Sequence, residues 1–349
     1  MNPNPDTDLI AGARRADIAI FASLLVLFLS VPAWADAGLV FLAGVVLVQI
    51  VFALSFNTIF GLAGMVSFGH AAYFAGGAYA AGLILKGEDP SIMAALAAGG
   101  LAGGAMAWLV GALALRRASG NYFAILTLAL AELLHVVISK STVLGREDGL
   151  TGIARPRMHL FGVATLDLAQ GTTLFYFLLA LAVLLGAGAW LLWHGPFGRV
   201  LAALRQEPER AAFLGIDVHR ARLAAFVLSG AGAGLAGAMY APLAQLLTPE
   251  VAHWSYSALP ILFCLLGGSA FYWGPVAGVL VFLGLEHATR NIVGLSEIVI
   301  GATLLCVVLA FPGGMAGAVA RLARRRGQGA RAATAHARAA AVAGKEVDA

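Results

Sequence analysis

Charge is what this chain has least of. Of its 349 residues, 11% are Asp, Glu, Lys or Arg, against about 25% in an ordinary soluble domain. A soluble core would also break its apolar residues into amphipathic stripes, and here they run on uninterrupted. Lysine is scarcer still, with Lys86, Lys140 and Lys345 the only three. None stands in a G-x-x-x-x-G-K-[ST] loop, which excludes a nucleotide site of that type on this chain. Cysteine occurs twice, as Cys264 and Cys306, both inside apolar runs. Without C-x-x-C or Cys/His spacing, the two read as small apolar fillers rather than metal ligands.

What the chain has instead is hydrocarbon. It is 60% hydrophobic, with a mean hydropathy of +0.88. Its apolar runs approach the roughly 20 residues needed to cross the bilayer core as a helix. The expected fold is therefore an all-α polytopic membrane protein. Candidate spans are Ile18–Pro32, Leu39–Phe60, Ala71–Leu85, Ile92–Leu115, Tyr122–Ser139, Thr173–Trp193, Leu223–Ala241, Ala258–Leu266, Pro275–His287 and Leu295–Phe311. That makes ten crossings, with eight or nine as alternatives, because the eighth is short and the ninth marginal. Those two flank Gly267-Gly-Ser-Ala-Phe-Tyr-Trp-Gly-Pro275, where broken helices fit a backbone sheltered by protein. The 43 glycines suit close helix packing in lipid.

The basic residues orient the spans. Arg116-Arg117, the arginines from Arg199 to Arg222, and the tail after Phe311 fall on one side of a ten-crossing chain. That side is expected to be the cytoplasm, with both termini on it. Asp36 and the Lys86–Ser91 loop then lie outside. The organisation expected is a cytoplasmic segment 1–17, a transmembrane domain 18–314, and a basic, disordered cytoplasmic tail 315–349 within reach of anionic lipid. Arg14-Arg15, the apolar run and Ala33-Trp-Ala35 resemble a signal peptide, but Asp6, Asp8 and Asp17 cancel the positive charge of the leading region. An uncleaved first helix fits better. Gly61-Leu-Ala-Gly64 returns as Gly234-Leu-Ala-Gly237, 173 positions later, a faint echo of the two-repeat construction of transporters.

One long polar stretch interrupts all this, Gly195 to Asp217. From Arg199 to Leu214, Val200, Leu201, Leu204, Ala211, Phe213 and Leu214 alternate with charges at helical spacing. Pro208 suits a helix start, with Glu207 and Glu209 near its positive end, and Gly215 is placed to stop it. One or two short surface helices are expected, and an ordinary solvated loop helix fits the periodicity equally well.

Glu209-Arg-Ala-Ala-Phe-Leu-Gly215 resembles the E-A-A-x-x-x-G motif of ABC-importer permeases, with Arg210 in place of the first Ala. Phe197-Gly-Arg-Val-Leu-Ala-Ala-Leu-Arg205, Leu214-Gly-Ile-Asp217, Ala224-Ala-Phe-Val-Leu-Ser229 and Gly234-Leu-Ala-Gly-Ala-Met-Tyr240 resemble the LivM-type branched-chain amino-acid permeases. The segments Asn57–Tyr79, Gly120–Leu128, Asp148–Ile153 and Gly267–Pro275 continue the likeness, which covers about residues 40 to 314.

The resemblance implies a non-enzymatic permease subunit in the bacterial inner membrane, with no cofactor of its own. It would pair with a sister permease and with two cytoplasmic ATPases that bind ATP and Mg. It would receive solute from an extracytoplasmic binding protein, and no nucleic-acid partner is implied. A coupling helix over about 197–217 would meet the ATPases through Arg199, Arg205, Glu207 and Glu209, with Phe213 or Leu214 as apolar anchor and Gly215 and Asp217 closing the segment. The outer connection Ser141–Thr172 would be open to the binding protein, although a solvated cap fits its residues as well. Branched-chain amino acids are the family's usual solutes; urea, amides and aromatic acids are alternatives that no residue here decides.

Polar groups inside spans are costly and mark candidate pathway positions. They are Asn57 at the end of the second span, Ser67 and His70 in the glycine-rich connection after it, Tyr73, Thr127 and Glu132. Local bonding and packing is the alternative, and interfacial anchoring is that for Tyr73. Glu132 and His135 share a helix face at i, i+3, which fits a hydrogen-bonded pair. Glu250-Val-Ala-His253 follows Pro249 in an outer connection, so it does not complete a metal site. A self-sufficient secondary transporter or channel is the alternative function. It would need a buried charge relay, for which Glu132 is the only deep acid with an ionisable neighbour.

Overall fold

The computed structural model describes residues 5–117, 120–160, 164–290, 295–310, 313–318 and 321. Most of the tail expected over 315–349 lies outside these residues. Helices dominate: α1 (Pro5–Trp34), α2 (Ala37–Asn57), α3 (His70–Lys86), α4 (Ile92–Arg117), α5 (Asn121–Lys140), α6 (Gly171–His194), α7 (Pro196–Gln206), α8 (Pro208–Phe213), α9 (Val218–Ala244), α10 (Trp254–Gly267), α11 (Gly274–Thr289) and α12 (Leu295–Ala310). As far as they are described, nine of the ten apolar runs fall on one helix each, the second runs from α2 into the turn that follows it, and the polar island makes two helices, α7 and α8. Among the described residues five helical stretches are long and apolar enough to cross a membrane: Ala37–Leu62, Ile92–Arg116, Tyr122–Lys140, Gly171–His194 and Val218–Ala244. Shorter apolar helices cover Ala19–Trp34, Trp254–Gly267, Gly274–Thr289 and Ile298–Val307. The chain is thus an all-α polytopic membrane protein.

Its centre is a seam of glycine where α3, α4 and α9 meet. A methyl group on Gly77 would overlap the Gly234 carbonyl, one on Gly103 the Gly230 carbonyl, and one on Gly237 the Phe74 carbonyl. Backbone therefore lies directly on backbone, the arrangement small residues permit in lipid, where packing rather than water drives helix association. The echo between Gly61–Gly64 and Gly234–Gly237 is not a structural repeat. The first copy lies in a break between helices and the second in the middle of α9.

Two breaks shape the bundle. The chain leaves α2 through a π-helical turn, Thr58–Leu62, and reaches α3 by the non-helical segment 63–69. It leaves α10 at Gly268, whose φ of +105° is a left-handed value that glycine tolerates, and restarts α11 at Gly274. The two breaks touch: Asn57 Nδ2 donates to the Phe271 carbonyl at 3.5 Å, and Gly61 packs on the Ser269 carbonyl.

The opposite end of the bundle is tied shut. β1 (Leu150–Thr151) pairs antiparallel with β4 (Leu246–Leu247), and β2 (Arg157–Leu160) makes a hairpin with β3 (Ala164–Asp167). Tyr79 donates to the Leu247 carbonyl at 2.9 Å, Ala154 N to the Leu85 carbonyl at 3.2 Å, and Gln245 Nε2 to the Ile153 carbonyl at 3.2 Å. The long connection after α5 is a cap over the ends of α3 and α9.

Candidate functional site

The island folds as its chemistry dictates. Pro196 and Pro208 each start a helix, where their missing N–H is no loss. Gly215, at φ +86°, ends the second. Asp217 caps α9, its Oδ1 accepting from Arg220 N at 2.9 Å and its Oδ2 pairing with Arg220 Nε at 3.1 Å. Gly198, Leu201, Leu204 and Ala211 are buried against the bundle. Arg199, Glu207 and Glu209 face outward, and Glu207 makes a 3.8 Å pair with Arg210. Beyond them Phe213 and Leu214 are 91% and 83% exposed, a large apolar pair on a polar segment.

Arg205 is exposed as well, but its guanidinium reaches back to the first break. Its Nη1 donates to the Gly61 carbonyl, and its methylene stem lies on Gly64, whose φ of +68° and lack of a Cβ admit it. The guanidinium therefore ties α7 to the first break.

That break is where most of the polar candidates gather. Asn57, Ser67, His70, Tyr73 and Thr127 are all buried around it. Phe68 N donates to Thr127 Oγ1 at 3.2 Å, and that hydroxyl donates to the Ala124 carbonyl of its own helix at 2.8 Å. Ser67 Oγ accepts from Gly69 N at 3.3 Å. The first turn of α3 would bury a bare N–H, and Ser257 of α10 satisfies it, accepting from Ala71 N at 2.9 Å.

His70 sits in an aromatic box, with the rings of Phe52, Phe56 and Tyr73 centred 5.2, 5.2 and 5.8 Å away. Its Nε2 lies 3.1 Å from Ser55 Oγ. That hydroxyl spends its one hydrogen on the Phe52 carbonyl at 2.7 Å, so the imidazole is the donor. Nδ1 then keeps a lone pair, and it is buried without a partner, as is Asn57 Oδ1. Ser229 of α9 joins the cluster by donating to the Ser55 carbonyl at 2.6 Å. Ser55, Ser229 and Ser257 are members that sequence reasoning passed over; their signal was a hydroxyl inside an otherwise apolar run.

Glu132 stands apart, further along α5, and no hydrogen bond joins it to His135. The His135 Nδ1 donates to the Pro249 carbonyl at 3.0 Å, and its ring meets that of His253 at 5.2 Å. Glu132 Oε2 is buried without a partner. Among the described residues no three His, Cys, Asp or Glu side chains gather as a metal site would need.

The arrangement can transmit displacement. A surface helix with an exposed apolar tip is tied by one guanidinium to a helix break, and that break contacts the second. Comparison with known proteins agrees with a transport role. The chain is 26% identical over 327 residues to the high-affinity branched-chain amino acid transport system permease protein LivM of Escherichia coli, covering 88% of this chain and 76% of that one. The Salmonella typhimurium protein of the same name is 25% identical over the same shares. A shorter match, 36% over 113 residues and 32% of each chain, is to the autoinducer 2 import system permease protein LsrC of Klebsiella pneumoniae. No solved structure matches. Residues 38–308 match the family described as branched-chain amino acid transport system, permease component, and with most of its length so matched the chain belongs to that family.

Proposed function

We propose that this permease is one of two membrane subunits of an ATP-driven, binding-protein-dependent importer in the bacterial inner membrane. α7 and α8 form its coupling helix, on the cytoplasmic side with both termini. Two ATPase subunits, which bind the ATP and Mg, seat Phe213 and Leu214 in an apolar groove, with Glu207, Glu209 and Arg199 at its rim. Their closure moves α7, and Arg205 carries that movement to the 58–69 break. The break shifts the balance between inward- and outward-open forms, and a binding protein delivers solute over the 141–172 connection. The relatives' names favour amino acids with branched apolar side chains as that solute. One observation carries the reading: two large apolar side chains stand almost fully in solvent on a short helix outside the bundle.

The test is purification of the tagged chain in mild detergent from its own host. Recovery of an ATPase pair and a second permease is expected, and their loss from a Phe213→Glu variant that still inserts. A chain that purifies alone and moves labelled leucine into liposomes without ATP overturns it. The buried, unpartnered Glu132 Oε2 is what favours the second reading, a self-sufficient transporter, and Glu132→Gln would then stop that uptake.

A further inference from the structure

At the bundle end opposite the island, α1, α2, α6 and α9 leave a cavity of about 430 Å³. Its walls are apolar, with Val40 and Phe41 from α2, Leu174 and Phe175 from α6, and Leu243 from α9. Phe41 is also 46% exposed on the outside of the bundle, so the cavity lies at the flank where lipid packs. One cation sits in this setting, Arg155.

Arg155 is half-buried. Its Nε donates to the Pro242 carbonyl at 2.8 Å and its Nη2 to the Leu243 carbonyl at 3.0 Å, while Nη1 makes no hydrogen bond. Asp36, between the lining residues Ala35 and Ala37, accepts at Oδ1 from Leu39 N at 2.8 Å, and Asp167 pairs with Arg157 at 3.5 Å. No carboxylate among the described residues forms an ion pair with Arg155. Burial lowers its pKa, yet an arginine keeps its charge, so a partly desolvated cation is left without an ion-pair partner. Gly171 and Thr172, the first residues of α6, line the same cavity. That turn has no side-chain cap, and the space over Gly171 is open, so its bare N–H groups add a second positive feature.

We propose that this cavity holds a phospholipid of the leaflet on that face. The phosphodiester is gripped by the free edge of the Arg155 guanidinium and the first amides of α6, and an acyl chain lies along Phe41 and Val40. The charge calls for an anion, and the apolar walls beside an exposed phenylalanine call for a hydrocarbon tail. A membrane phospholipid supplies both.

The test is native mass spectrometry of the full chain in detergent, titrated with palmitoyl-oleoyl-phosphatidylglycerol. Saturable 1:1 binding is expected, with diolein, which lacks phosphate, and glycerol 1-phosphate, which lacks tails, both weaker. Arg155→Gln should weaken the lipid about tenfold or more, the scale of a lost charge-assisted bond. Because Arg155 also staples two α9 carbonyls, Thr172→Asp is the second variant. It puts a charge where a helix start favours it but repels phosphate, and the same loss is expected in a well-folded chain. Wild-type binding by Thr172→Asp overturns the proposal. So does inorganic phosphate or glycerol 1-phosphate binding as tightly as the lipid, which marks a free-anion site. Displacement of the lipid by L-leucine does the same and marks a solute site.

Discussion

Replacing Arg205 by Met isolates one link of the coupling mechanism. Methionine keeps an unbranched stem to lie on Gly64 and removes only the donor to the Gly61 carbonyl. A hydrogen bond from a charged donor contributes roughly 1.5–3 kcal/mol. Lost from the state in which α7 holds the break, that corresponds to a shift of about 10- to 150-fold in the equilibrium between held and released breaks, at 1.4 kcal/mol per decade. Gly61 is buried, so its carbonyl left without a donor should also cost about 1–3 kcal/mol of stability, a loss that the transport-to-hydrolysis ratio does not register. The expected phenotype is uncoupling. In proteoliposomes of the complete complex, with labelled leucine as probe, ATP hydrolysis stays near wild type while leucine moved per ATP falls about tenfold or more. Arg205→Lys, which keeps the charge but not the fork, should lie between. An unchanged transport-to-hydrolysis ratio in Arg205→Met would refute the link.

Other predictions rest on different contacts. Phe213→Glu loses no internal packing, the side chain being 91% exposed, so expression and thermal stability should match wild type while ATPase subunits no longer copurify. Gly234→Leu drives a side chain into Gly99 and Gly103 of α4, and detergent thermal denaturation should show at least the roughly 1–3 kcal/mol typical of overpacking. Ser257→Ala strands the Ala71 N–H in the core, at a cost of about 1–3 kcal/mol; equal stability of variant and parent would mean another acceptor takes over. Glu132→Gln should leave ATP-driven uptake intact, and a loss of uptake would restore the relay reading.

The helices were legible because a long apolar run carries its own signal: every expected span, as far as it is described, lies in helix, and five helical stretches are long and apolar enough to cross a bilayer. The island's two helices were legible for the same reason, in proline, glycine and alternation. What periodicity could not show was the aim of Arg205. On a short amphipathic helix an arginine at the boundary looks the same whether it points to a partner or back into the bundle, and Gly64, 141 positions away, decides it. Nor could it show the depth of the 58–69 segment. That segment is fixed by Thr127, and the turn of α3 that follows it by Ser257, distant hydroxyls whose helices had to be placed first. Glu132 and His135 illustrate the reverse error. Their i, i+3 spacing made a pair sensible, yet the Pro249 carbonyl, from an element with no local sequence relation, took the imidazole instead.

The cap at one end and the breaks at the other give the molecule a mechanical polarity. Strand pairing and side-chain staples immobilise the ends of α3 and α9 where the long connection crosses them, while interrupted helices and a single guanidinium meet at the island end. A body clamped at one end and jointed at the other behaves as a cantilever. Its free end sweeps the larger arc, and small displacements at the joint leave the clamped mouth almost still. Protection from amide hydrogen exchange should follow the same gradient, deepest under the cap and shallowest beside the breaks.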